Sequence, residues 1–64
     1  MELIGTTWTH QFNPTAPTLV VRKWASNPAS HMVEVADATS GAWITRDYPA
    51  LVIAFLERNW YARS

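Results

Sequence analysis

Residues His31–Asp47 read HMVEVADATSGAWITRD, with apolar and polar side chains alternating on both sides of a Ser-Gly turn. That period predicts a β-hairpin with strands over 31–37 and 42–46. The alternation also puts Met32 and Trp43 on the side that ought to face water. Large apolar groups on both faces of a small sheet require a second cover or a partner.

The preceding run LVVRKWA, Leu19–Ala25, is β-branched and aromatic and ends in the turn cluster SNPAS, Ser26–Ser30, so it reads as another strand. Residues paired across an antiparallel hairpin have a constant sum of numbers and share a face. Setting Ala25 opposite His31 pairs Trp24 with Met32, Arg22 with Glu34, Val21 with Val35 and Val20 with Ala36. Closing the second hairpin on Asp37 and Ala42 pairs Val35 with Ile44, Ala36 with Trp43 and Glu34 with Thr45. One face then carries Leu19, Val21, Val33, Val35 and Ile44; the other carries Val20, Arg22, Trp24, Met32, Glu34, Trp43 and Thr45.

Upstream, TTWTHQF, residues 6–12, sets Trp8, His10 and Phe12 on one side at period two and reads as a first strand. The proline-bearing NPTAPT that follows, Asn13–Thr18, reads as a loop. Downstream the period lengthens. Asp47 is placed to cap a helix over about 48–62, with Pro49 in its first turn. At about 100° per residue, Val52, Ile53, Phe55, Leu56 and Trp60 form a stripe, with Ala50, Ala54, Glu57, Arg58 and Tyr61 opposite. Arg58 and Arg63 near the end suit the helix dipole. The elements predict an α+β fold: a three- to four-stranded antiparallel β-meander packed against one C-terminal α-helix, as a single domain over residues 1–64.

The chain's 64 residues leave room for one small core, worth about 3–5 kcal/mol net. Four Trp, two Phe and two Tyr must supply most of the burial, because there is no cysteine to cross-link the chain or hold zinc. Five Lys and Arg balance five Asp and Glu, which leaves no electrostatic footprint for nucleic acid or an anionic membrane. No apolar run approaches the roughly 20 residues that span a bilayer. The opening MELIGTTW has neither a basic region nor an apolar one to act as a leader, so a mature cytoplasmic protein is expected.

His10 and His31, with Glu34 and Asp37, supply metal-ligand types but no HxH or HExxH spacing, so neither a metal nor another cofactor is expected. The same groups form no acid–base set, since no nucleophile elbow, phosphate loop or carboxylate pair accompanies them, and a non-enzyme is expected. The face with Trp24, Met32 and Trp43 admits two readings. Either the first strand and its proline loop fold back across it, or it stays open to a partner. Trp, Met and Arg are interface residues. On the second reading Trp24, Met32 and Trp43 fill a groove on the target, while Arg22 and Glu34, a cross-strand ion pair, set orientation.

In layout, three antiparallel strands followed by a helix resemble the AP2 and phage-integrase arm-binding domains, which lay a sheet in the major groove of DNA. That likeness implies a nucleic-acid binder as the alternative function; those domains carry several basic groups on the exposed face, where this chain has Arg22 opposed by Glu34. The words RKWASN, VEVAD, RD and AFL resemble a family of small actinobacterial domains similar to the BldB developmental protein. This second likeness covers about the middle half of the chain and lacks the family's long segment between RD and helix; no residue role is carried over. The expectation is a small protein-binding module, monomeric or weakly dimeric, that inhibits or regulates a larger protein. Phage and mobile-element accessory proteins such as anti-defence factors supply the analogy.

Overall fold

A computed structural model describes residues 3–27 and 29–64; Met1, Glu2 and Pro28, the last within the Ser26–Ser30 turn, lie outside the described residues. Strands β1 (Thr7–His10), β2 (Leu19–Lys23), β3 (Val33–Asp37) and β4 (Trp43–Asp47) are followed by helix α1 (Pro49–Arg58) and a further strand β5 (Tyr61–Arg63). They form one five-stranded antiparallel sheet in the order β4-β3-β2-β1-β5, an α+β fold. The helix carries the chain from one sheet edge to the other. Among the described residues no helix is long and apolar enough to cross a membrane.

The β2–β3 register is the one the number sums predict, with Val20 facing Ala36, Val21 facing Val35 and Arg22 facing Glu34. The ladder stops at Lys23–Val33, however, so the strands are shorter than 19–25 and 31–37 and the expected Trp24–Met32 and Ala25–His31 pairs do not form. The second hairpin closes as expected, with the Asp37 N–H donating to the Ala42 carbonyl at 2.9 Å. Asp37 Oδ1 accepts from the Thr39 and Ser40 N–H groups at 2.8 and 3.2 Å, and Gly41 supplies the left-handed φ of 79°. Ala36 faces Trp43, also as expected. The register then shifts, so that Val35 faces Thr45, Glu34 faces Arg46 and Val33 faces Asp47. Ile44 is the extra residue of a β-bulge, 42% exposed, and the expected pairs Val35–Ile44 and Glu34–Thr45 do not form. A bulge inverts the faces of every residue beyond it. Thr45 therefore leaves the outer face and Arg46 enters it.

The helix lies on the opposite side of the sheet. Val52 and Leu56 are fully buried against Trp8, Leu19, Val21, Val33, Val35 and Tyr61, with Leu3 closing one end and Ile53 and Phe55 packed at the margin. At the helix start, Asp47 completes β4 and Tyr48 takes the capping position without a side-chain bond; Asp47 Oδ1 accepts the Tyr48 N–H at 2.8 Å. The helix stops at Arg58 rather than near 62. Asn59 Nδ2 donates to the Phe55 carbonyl at 2.8 Å, and Trp60 takes the left-handed turn at φ 60°. Trp60 leaves the expected stripe and is 58% exposed, whereas Tyr61, expected opposite it, is buried. Past Asn59 the helical period no longer applies. β5 sets Tyr61 edge-on to His10, with ring centroids 5.2 Å apart, and its hydroxyl donates to the Pro17 carbonyl at 2.8 Å. Arg63, expected near the helix end, lies in β5 over the Trp8 ring.

The first strand is shorter than residues 6–12, because His10 Nδ1 accepts the Phe12 and Asn13 N–H groups at 3.1 and 2.9 Å and turns the chain. It pairs between β2 and β5, which sends Trp8 into the helix-side core and leaves Phe12 72% exposed. The proline loop sits at the opposite end of β2 from Trp24. Neither segment folds back across the outer face.

Leu56→Ala should cost about 2–5 kcal/mol, comparable with the whole stability of a domain this small, and thermal unfolding followed by circular dichroism should show the cooperative transition lost or displaced far downward. Trp60→Gly should keep or raise the midpoint, since a left-handed backbone costs a non-glycine residue roughly 1–2 kcal/mol and an exposed indole gives little back.

Candidate partner-binding face

The outer face is built on two cross-strand rows, Val20–Ala36–Trp43 and Arg22–Glu34–Arg46. In the second row a buried carboxylate lies between two guanidinium groups. Arg22 Nε donates to Glu34 Oε1 at 2.7 Å, Arg22 Nη2 lies 2.6 Å from the same oxygen, and Arg46 Nε donates to Oε2 at 2.7 Å. Arg22 Nη2 also donates to the Gly41 carbonyl at 3.0 Å, tying the row to the hairpin turn. The Arg46 hydrogen bond, aided by the bond and charge of Arg22 and the charge of Arg46, outweighs the cost of burial and holds the Glu34 carboxyl below its ordinary range. Glu34 is thus ionised with both oxygens occupied.

Two indoles clamp the second arginine. The Arg46 guanidinium carbon lies 4.0 Å from the Trp43 ring centroid and 4.9 Å from that of Trp24. Stacking on one side and a carboxylate on another fix a side chain that would otherwise sample many rotamers. Trp43 is 55% exposed; Trp24 is half-buried, and its Nε1 is buried without an acceptor among the described residues. Arg22, Lys23, Trp24, Ser26, Trp43 and Arg46 border an open depression at this corner of the sheet.

Of the residues that the sequence singles out, Arg22, Trp24, Glu34 and Trp43 come together here. Met32 does not join them. It precedes β3 and lines a separate groove with Leu3, Ile4, His31, Val33 and Pro49. Arg46, which organises the cluster, escaped the sequence reading because an unbroken alternation assigns it to the aliphatic face. That assignment was itself the available signal, since an arginine beneath an apolar helix demands a register break. The candidate metal ligands are dispersed in other uses: His10 Nδ1 and Asp37 Oδ1 accept backbone N–H groups, Glu34 holds the two arginines and His31 is exposed. No family model, curated protein or solved structure matches the chain.

The pH dependence of stability follows from Glu34. Its folded pKa lies below its unfolded one, so below the ordinary glutamate range the unfolded chain binds the extra proton, and the stability contribution is present above that range and lost as pH falls through the depressed value. Glu34→Gln should lower the melting midpoint at neutral pH. The gap between variant and wild type should shrink as the pH drops below about 4, as a series of thermal melts would show.

Proposed function

We propose that the chain is a non-enzymatic binding module for another protein, which it inhibits or regulates by covering a site with its β2–β3–β4 face. The observation that carries this reading is Trp43, exposed on the face away from the helix and stacked on an arginine that Glu34 holds in place. Trp and Arg dominate interface hot spots, and anchors that are rigid before contact lose less entropy on binding. Against a nucleic-acid role stands the small extent of the basic patch: Glu34 offsets one of the two outer-face arginine charges, in a chain whose charges sum to zero. The non-enzymatic reading is supported by the commitment of Glu34 and His10 to structure: both Glu34 oxygens hold arginines and His10 Nδ1 holds a loop.

Trp43→Ala is the direct test. Loss of an exposed cation–π contact costs about 0.5–1 kcal/mol, so the variant should melt cooperatively only a few degrees below wild type. Capture of a partner from a lysate of the source organism by the immobilised chain should weaken by about 2 kcal/mol or more. Undiminished capture, or a collapsed fold, refutes the reading. Trp24→Ala should destabilise more than Trp43→Ala, because its ring is half-buried.

A further inference from the structure

Two guanidinium groups share one carboxylate, and the row Arg22–Glu34–Arg46 therefore keeps a surplus positive charge, to which Lys23 adds at the rim of the same depression. Arg46 meets Glu34 through its Nε, 2.7 Å from Oε2. Its orientation is fixed by that bond and by the two indoles against it. A guanidinium anchored through Nε presents its far edge as a fork of parallel N–H donors, the geometry that matches a carboxylate bidentately. Trp43 and the bulged Ile44, both exposed, precede it by three and two positions in the same strand.

We infer that this corner receives an acidic segment of the partner protein, an Asp or Glu carboxylate seated on the Nη edge of Arg46 with an apolar neighbour against Trp43. The inference rests on the protein-binding reading above and names the partner's chemistry. A protein carboxylate fits better than a nucleic-acid backbone, because the surplus charge is confined to one corner and a row of phosphates needs cations spread along a face.

The test uses the whole chain, immobilised, to select from a phage-displayed library of random dodecapeptides. Selected peptides should carry Asp or Glu beside an apolar residue, and changing that acid to its amide should weaken binding at least about tenfold. The acid-to-amide effect should shrink in Arg46→Lys, which keeps the charge but loses the fork. In the unsubstituted chain, where folding of a variant is not in question, the peptides should shift the indole Nε1–H resonances of Trp24 and Trp43. Peptides without acids that shift those resonances would overturn the carboxylate and leave the protein-binding reading standing. Peptides that leave the two indoles unmoved, or a library that yields none, overturn both. Both also fall if a duplex oligonucleotide moves the indoles at lower concentration than any peptide, or if sedimentation shows that the face is closed by a second copy.

Discussion

A carboxylate taken out of water has to find positive charge, and the arrangement of the outer face follows from how Glu34 does so. Desolvating an ion costs several kcal/mol, which only close, well-aligned partners recover. Here β2 offers Arg22 directly across the ladder, and β4 offers Arg46 from the other side. Three strands are thereby locked to one another at a single row. A slip of one residue on either side would place an arginine among valines and leave the glutamate half-paired. Register, usually set by hydrophobic alternation alone, is doubly specified at this point.

The requirement shapes what the molecule shows to its surroundings. Only the bulge at Ile44 brings Arg46 to the glutamate's face, and once there the guanidinium lies against Trp43 and Trp24. The aromatic rings thus have a role in the fold itself, where they lie against an ion pair. This answers why a small sheet carries large apolar groups on both sides. One side is a core beneath a helix; the other is a polar row roofed by indoles, still open at Trp43.

Much of this was legible from residue order alone, and the gaps have local causes. The β2–β3 pairing could be computed because one sum sets valine against valine and arginine against glutamate, and the helix was evident from Pro49 through Leu56 because its apolar spacing is regular. The last strand was hidden: Tyr61–Arg63 continues the helical pattern without a glycine, and the break depends on Asn59 and on a tryptophan in a conformation that tryptophan seldom takes. The position of β1 could not be inferred across a proline-rich loop whose path has no period. At the candidate site, Arg22, Trp24, Glu34 and Trp43 were readable by parity, and Arg46 was not, since parity fails at a bulge.

The same irregularity bears on how copies of this chain behave when crowded. An open sheet edge beside exposed tryptophan is ordinarily an invitation to aggregate, because a foreign strand can extend the ladder. β4 is such an edge, yet the extra residue at Ile44 breaks the even spacing of its backbone donors and acceptors and increases its twist. The opposite edge, β5, offers only three residues. Fibre growth therefore finds no long straight template on either edge of the sheet.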